Sequence, residues 1–124
     1  LPESPMPKFM LILHDDMSHL SAMAPDEMQR VIAQYQAWSA KMAKAGKLVG
    51  GEKLKDEGGK LLSAKSGKLV VRDGPFAEAK EVVGGYFLIE AADYAEATAL
   101  CGDCPHLALG GRIELREIDP MPAP

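Results

Sequence analysis

Two short segments of the chain carry the residue types that transfer protons. His14 is followed by Asp15 and Asp16 at the end of an apolar run, and Asp73 stands directly before a Gly-Pro pair. Histidine exchanges protons near neutral pH, and a nearby carboxylate can orient or charge it. His14 and Asp73 are therefore the candidate catalytic residues. Each also has a structural explanation, His14 as a solvated residue at a strand end and Asp73 as a turn residue that accepts backbone hydrogen bonds.

Charged and aromatic residues in several segments could line a pocket for a small molecule. The candidate ligand-binding residues are Glu78, Lys80, Glu81, His106, Arg112, Tyr35 and Trp38. Acids and cations together suit proton transfer or the binding of an anionic small molecule. The charges between Glu78 and Glu81 could instead form a solvated run, and the two aromatic residues could belong to the core. We expect His106, which follows Pro105, to be exposed.

Two cysteines, Cys101 and Cys104, form a C-G-D-C sequence at the end of a predicted helix. A redox-active pair normally opens a helix, where the dipole lowers the thiol pKa, so the sequence favours a structural role. A zinc site would need His106 and a fourth ligand, and the chain has no second C-x-x-C. Four residues of metal-binding type lie close together without the spacing of a metal site: His14, Asp15, Asp16 and His19. No metal and no cofactor are predicted.

The composition is that of one globular domain in an aqueous compartment. With 124 residues, 47% of them hydrophobic and 26% charged, the chain can bury roughly two thirds of its unfolded surface. The net charge of −4 and the scattered cations argue against nucleic-acid and anionic-membrane partners. The longest apolar run, Phe9 to Leu13, is too short to span a bilayer, and the sequence shows no signal peptide. We therefore expect a cytoplasmic location.

The hydrophobic pattern predicts the elements that position these residues. Strands are predicted at Lys8–His14, Lys47–Leu54, Lys60–Ala64, Lys68–Arg72, Val82–Glu90 and Arg112–Ile118, and helices at Pro25–Ala45 and from Asp93 to about Cys104. This order is that of a ferredoxin-like split βαβ pair with an added hairpin, an α+β fold whose antiparallel sheet carries two helices on one face. Gly84 and Gly85 predict a bulge, or the close approach of a ligand or another backbone. The domain is predicted at residues 6–118, with flexible tails at 1–5 and 119–124.

The predicted topology brings several candidate residues to one end of the sheet. The strand that follows the Asp73 loop runs antiparallel to the first strand, so its start lies beside His14. The end of the second helix, with His106, and the start of the last strand, with Arg112, lie at that end too. The sequence therefore predicts one rim: His14, Asp73, Glu78, Lys80, Glu81, His106 and Arg112.

The stretch around Asp73 resembles the DGPF subgroup of the YCII-related family. The residues that carry the resemblance are Asp73, Gly74, Pro75, Phe76, Ala77, Glu78, Lys80, Glu81, Gly84, Gly85 and Tyr86. The resemblance implies a homodimer whose two sheets pack face to face as a dimeric α+β barrel, and an apolar second sheet face agrees with this. Some members are proposed to use a His-Asp pair with the histidine on the first helix. Pro25–Ala45 contains no histidine, so only Asp73 and its loop are carried over by motif.

Two functions are consistent with the sequence. The first is a small-molecule-binding homodimer that performs proton transfer on a small acidic metabolite. The alternative is a binding or regulatory module that acts with an extracytoplasmic-function sigma factor, because members of the family are encoded beside such factors or fused to them. A cavity beside Asp73 would favour the first function. An exposed apolar patch without a cavity would favour the second.

Overall fold

An antiparallel sheet with helices on one face, together with a separate hairpin, makes up the fold. The computed structural model describes residues 6–16, 23–75 and 81–121. Its elements are β1 (Lys8–Asp16), α1 (Pro25–Lys44), β2 (Leu48–Lys53), β3 (Lys60–Lys65), β4 (Lys68–Asp73), β5 (Glu81–Glu90), α2 (Tyr94–Cys101), α3 (Pro105–Ala108) and β6 (Arg112–Glu117). This is the predicted order with the short helix α3 added before the last strand. The second helix ends at Cys101, before the predicted end near Cys104, and Pro105 begins α3 instead, since proline fits the first turn of a helix.

The sheet has the topology that the sequence predicts. Its strand order is β2-β5-β1-β6, while β3 pairs with β4 alone. The central strand β1 runs antiparallel to both neighbours, and Phe9 stands opposite Ile89 on β5 and Glu117 on β6. With the two helical connections packed against one sheet face, this is a ferredoxin-like α+β fold with an added hairpin.

Strand β1 alternates between a buried face and a partly buried face. Phe9 and Leu11 are 0% exposed and Leu13 is 7% exposed, and all three pack under the helices with Trp38 and Met42 of α1. Met10 and Ile12 point to the opposite face and are half-buried. Because side chains alternate along a strand, an almost continuous apolar run supplies both faces.

β1 continues two residues beyond its predicted end. Asp15 pairs with Val82, and Asp16 pairs with Glu81. The period of two places Asp15 on the same face as Leu13, toward the helices, and His14 on the opposite face. Because of this alternation, Asp15 can reach a site between the sheet and α1, whereas the ring of His14 cannot.

Helix α1 has the ends that its sequence predicts. Asp26 and Glu27 stand in its first turn, and Lys41 and Lys44 in its last turn, so the charges complement the helix dipole. Within the three described ranges, no helix combines the length and the apolar character needed to cross a membrane.

Trp38 of α1 is a core residue. It is 4% exposed, its ring centroid lies 5.0 Å from that of Phe87, and its Nε1 donates to Asp103 Oδ1 at 3.0 Å. Lys41 binds the other oxygen of Asp103. The bonds from Lys41 and Trp38 hold the pKa of Asp103 below its ordinary value. Trp38 is therefore a core residue, which was the alternative to its predicted role in ligand binding.

The hairpin of β3 and β4 has an exposed apolar face. Lys60 pairs with Asp73 at its base, and the turn lies at Ser66–Gly67, as predicted. Leu62, Leu69 and Val71 are 63%, 68% and 52% exposed. Their positions in the register put all three on the same side of the ribbon, and we call them the hairpin face.

Replacing Leu11 with alanine tests the position of the core. Leu11→Ala is expected to lower the free energy of unfolding by about 2–5 kcal/mol, because it leaves a cavity under the helices. Leu62→Ala is the matched control, since Leu62 is 63% exposed, and its effect is expected to stay within about 0.5 kcal/mol. Urea denaturation followed by Trp38 fluorescence measures both. Equal losses in the two variants would contradict this core.

Candidate functional site

A cavity of about 410 Å³ lies between the sheet and α1. Most of its wall is apolar, formed by Leu13, Met28, Val31, Ile32, Phe87 and Leu109. Asp15 from β1, Tyr35 from α1 and His106 from α3 reach it from three different elements. We call these three residues the acid-base cluster. A concave, apolar pocket with a few convergent polar groups is the usual form of a small-molecule site.

A hydrogen bond joins Tyr35 to His106, and Asp15 lies at ion-pair distance from the same ring. His106 is 1% exposed. Its Nε2 lies 2.9 Å from the carbonyl oxygen of His14, and its Nδ1 lies 2.6 Å from the hydroxyl of Tyr35. Asp15 Oδ1 is 3.9 Å from the same Nδ1. Both nitrogens of the buried ring thus have a partner, which burial of a polar ring requires.

The backbone partner fixes the tautomer of His106. A carbonyl oxygen only accepts, so Nε2 must carry a proton to donate to His14. In the neutral ring, Nδ1 then accepts the hydroxyl proton of Tyr35, and the free lone pair of Tyr35 faces the cavity. In the charged ring, Nδ1 donates to Tyr35, whose own proton is then free to point at a ligand. Tyr35 can therefore act as acceptor or donor toward the cavity, according to the charge on His106.

Tyr35 stays a neutral phenol in this site. Burial, the charge of Asp15 and the nearby Cys104 thiol all raise the pKa of Tyr35 well above its ordinary value. A free phenolate is thus disfavoured, and the hydroxyl keeps a proton to donate. A positive charge on the ring of His106 would face the Asp15 carboxylate 3.9 Å away.

Two glycines make room for the cluster. Gly84 is the extra residue of a β-bulge, because Leu13 pairs with Gly85 while His14 pairs with Val83. A Cβ at Gly84 would clash with Asp15 Oδ2, and a Cβ at Gly111 would clash with His106 Nε2. Neither position can carry a side chain without displacing the acid-base cluster. The bulge predicted from the glycine pair is confirmed, and the group that approaches Gly84 closely is the Asp15 carboxylate.

The comparison with known families gives a clear match. The model of the YCII-related domain matches residues 7–122. The chain belongs to the YCII-related family. An uncharacterised protein of Rhizobium meliloti (strain 1021) is 33% identical to this YCII-related chain over 96 residues, which cover 77% of each. The name of that relative assigns no activity, so the site itself has to carry the functional argument.

This YCII-related chain brings a histidine and an aspartate together by a different route from the one that the resemblance implies. The histidine comes from α3, as His106, and α1 contributes Tyr35 instead. His106 lies 3.9 Å from Asp15 and 2.6 Å from the hydroxyl of Tyr35. The prediction that His106 is exposed is wrong. Its ring packs over Gly111, and the short helix that begins at Pro105 directs it inward.

Three of the predicted rim residues meet on the opposite side of the sheet. His14 stands beside Arg112 in the register, and Asp16 beside Glu81. His14 Nε2 lies 3.0 Å from Glu114 Oε1, and Arg112 binds both oxygens of Glu81. The side chains of His14, Glu81 and Arg112 therefore share one end of the sheet as predicted, yet none of them lines the cavity as described. His14 contributes only its carbonyl oxygen to the cluster.

Asp73 lies on the hairpin and away from the cavity lining. It ends β4, its side chain is 84% exposed, and it pairs with Lys60 across the hairpin. The cavity was predicted beside Asp73, but it lies between the sheet and α1. Asp73 does not line it, because this residue belongs to the hairpin and its side chain is exposed. Glu78 and Lys80 lie outside the described residues. Their predicted role in ligand binding stays a prediction.

Sequence reasoning assigned no catalytic role to Asp15. The signal was available, since Asp15 follows the apolar Leu13 by two positions in a strand that was predicted to end at His14. Extending the strand by one residue would have put Asp15 on the helix face. For His106 no comparable signal existed, because a four-residue helix carries no hydrophobic period.

Cys101 and Cys104 are free thiols, both buried. Burial, followed by the neighbouring Cys104, raises the pKa of Cys101 to about 11, and burial also raises the pKa of Cys104. Thiolates are thus disfavoured, which supports the structural role. In the part of the chain that the structure describes, no group of three or more His, Cys, Asp or Glu side chains is arranged to hold a metal ion.

Tyr35→Phe tests the hydrogen bond at the centre of the acid-base cluster. The variant leaves His106 Nδ1 without its partner, so the free energy of unfolding is expected to fall by about 1–3 kcal/mol at neutral pH. The folded-state pKa of Tyr35 is raised, so its contribution is complete below about pH 10 and declines as the pH rises further. The wild-type protein should then lose stability more steeply than the variant above about pH 10. Urea denaturation over this pH range measures the slopes, and parallel slopes would contradict the burial of Tyr35.

Proposed function

We propose that the protein binds a small, largely apolar molecule in the cavity and transfers a proton to and from it through Tyr35 and His106. The observation that carries the proposal is the hydrogen-bonded pair of Tyr35 and His106, with Asp15 beside it, set in an apolar wall. The cavity volume of about 410 Å³ is that of an ordinary small-molecule pocket. A purely structural cluster would need no such space beside it.

The proton would move along the hydrogen bond between the hydroxyl and the ring. A weakly acidic C–H group of the ligand gives its proton to Tyr35 Oη, while the proton of Tyr35 passes to Nδ1 of His106 over 2.6 Å. The C–H electron pair stays on the ligand, and Tyr35 is a phenol before and after the step. His106 becomes an imidazolium, which keeps its Nε2 bond to His14 and is stabilised by Asp15 at 3.9 Å. The reverse step returns the proton to the same atom or to another one.

A metabolite screen by thermal shift, followed by hydrogen exchange, tests this function. Ligands that stabilise the protein are incubated with it in D₂O, and NMR follows exchange of their acidic C–H groups. Tyr35→Phe and His106→Gln are each expected to lower the exchange rate by about 100-fold or more. His14→Gln is the matched control and is expected to keep the wild-type rate, because its ring binds Glu114 on the other face. An unchanged exchange rate in both Tyr35→Phe and His106→Gln, each shown to be folded, would contradict the proposed proton transfer through Tyr35 and His106.

The second face of the sheet supports a homodimer. Met10 and Ile12 of β1 stand beside Leu88 and Tyr86 of β5 on this face, and we call these four residues the open face. They form an apolar stripe of half-buried side chains. The flanking strand β6 carries Arg112, Glu114 and Arg116 on the same side. A second copy of the chain, packed sheet to sheet, would cover the stripe and could pair these charges.

Sedimentation equilibrium at micromolar concentration tests the homodimer. The expected mass is about twice the 13.3 kDa of the chain. Ile12→Glu places a charge in the middle of the open face and is expected to give a monomer. Leu62→Glu adds the same charge on the hairpin face and is expected to leave the dimer intact. A wild-type protein that sediments as a monomer would contradict the sheet-to-sheet assembly.

A regulatory role beside an extracytoplasmic-function sigma factor is the second candidate function. The hairpin face supports it, because three large apolar side chains exposed on one ribbon are typical of a protein contact. A two-stranded ribbon is also marginally stable without further packing. The cavity and its acid-base cluster would have no part in such a contact. They make the small-molecule function the better supported of the two.

A further inference from the structure

We propose that the cavity selects an uncharged, largely apolar carbonyl compound and discriminates against carboxylates. This inference rests on the function proposed above and adds the chemical class of the ligand. It departs from the small acidic metabolite predicted from the sequence. Three independent observations support this ligand class: the charges around the cavity, the composition of its wall and the charge that proton removal creates.

The lysine at the cavity wall already has a carboxylate partner. Lys53 lines the cavity, and its Nζ lies 3.1 Å from Asp56 Oδ1 and donates to the carbonyl oxygen of Leu54 at 2.8 Å. Among the described residues, no other lysine or arginine lines the cavity. An anionic ligand would have to compete with Asp56 for Lys53, or remain without a counter-ion in an apolar site.

Asp15 adds a negative charge at the place where the ligand would react. Its side chain is 22% exposed, and its ion-pair partner in the described part of the chain is His106 at 3.9 Å. A ligand carboxylate near Tyr35 would face the Asp15 carboxylate across a wall of low polarity. Two like charges in such a setting disfavour each other strongly.

The proposed proton transfer favours a neutral ligand for a second reason. Removing a C–H proton leaves one negative charge, which a carbonyl compound delocalises onto its oxygen as an enolate. An anionic ligand would become a dianion beside Asp15. A permanently cationic ligand would pair with Asp15 and take from His106 the carboxylate that stabilises its charged ring.

Neutral hydrogen-bond donors are available for a carbonyl oxygen. Gln36 and Ser39 of α1 line the same cavity as Tyr35. An amide N–H and a hydroxyl can bind a ketone oxygen without supplying charge. Tyr35 becomes a further donor once His106 is protonated. The apolar remainder of the ligand would pack on the aliphatic and methionine side chains of α1, which adapt to different shapes.

The test compares three compounds with related carbon skeletons: benzylacetone, hydrocinnamate and the primary amine that corresponds to benzylacetone. Isothermal titration calorimetry with the full chain at neutral pH gives their dissociation constants. Benzylacetone is expected to bind at least about tenfold more tightly than hydrocinnamate and than the amine. A hydrocinnamate affinity equal to or above that of benzylacetone would overturn the ligand class and leave the proposed cavity function standing. If none of the three binds, the ligand class and the cavity function both fail.

Two substitutions check that charge causes the preference. Asp15→Asn removes the repelling carboxylate, and Asp56→Asn releases Lys53. Each is expected to tighten hydrocinnamate binding by about tenfold. Glu57→Gln is the matched control and is expected to change nothing, because the exposed Glu57 does not line the cavity. Thermal melting verifies that each variant is folded. If hydrocinnamate binds all the folded variants as weakly as it binds the wild-type protein, charge selection is excluded.

Discussion

The hydrogen bond from the buried ring of His106 to the backbone carbonyl of His14, 2.9 Å long, is the constraint on which the site depends. It ties the short helix α3 to the end of the central strand, and it fixes which ring nitrogen carries a proton. The other nitrogen is thereby left to Tyr35, and Asp15 lies close enough to respond to the charge of the ring. A buried bond of this kind is costly to lose, because both groups would be left without a partner. The ring also requires Gly111, since a side chain there would occupy its position.

The alternation along β1 separates two kinds of chemistry on the two faces of one sheet. His14 points its ring to the open side, where it contacts Glu114 and stands opposite Arg112 in the register, while Asp15 points toward α1 and the cavity. The face under the helices combines an apolar wall with a small set of hydrogen-bonded polar groups. The other face combines an apolar stripe with a row of charges on β6. A pocket suits the first pattern and a protein contact suits the second.

The elements of the fold follow from local patterns, and the sequence predicts them well. Alternating and continuous apolar runs mark β1 and β5, charges and proline mark the ends of α1, and the Ser-Gly turn marks the hairpin. The site is harder to predict, because it depends on which face of β1 each side chain takes and on one short helix. A predicted end of β1 at His14 places Asp15 in a loop. His106 belongs to a four-residue helix, which is too short to show a hydrophobic periodicity. Asp73 was assigned to the site by its motif, but the hairpin carries its side chain into solvent.

The tautomer of His106 is the most direct test, since the relay from ligand to Tyr35 to His106 requires a proton on Nε2 and none on Nδ1 in the neutral ring. Long-range ¹H–¹⁵N correlation spectra of the labelled protein, recorded at several pH values, report the protonation of each nitrogen. The structure predicts a protonated Nε2 and an accepting Nδ1, and both signals should change in Tyr35→Phe. A neutral ring with its proton on Nδ1 would contradict both the bond to His14 and the proposed path of the proton.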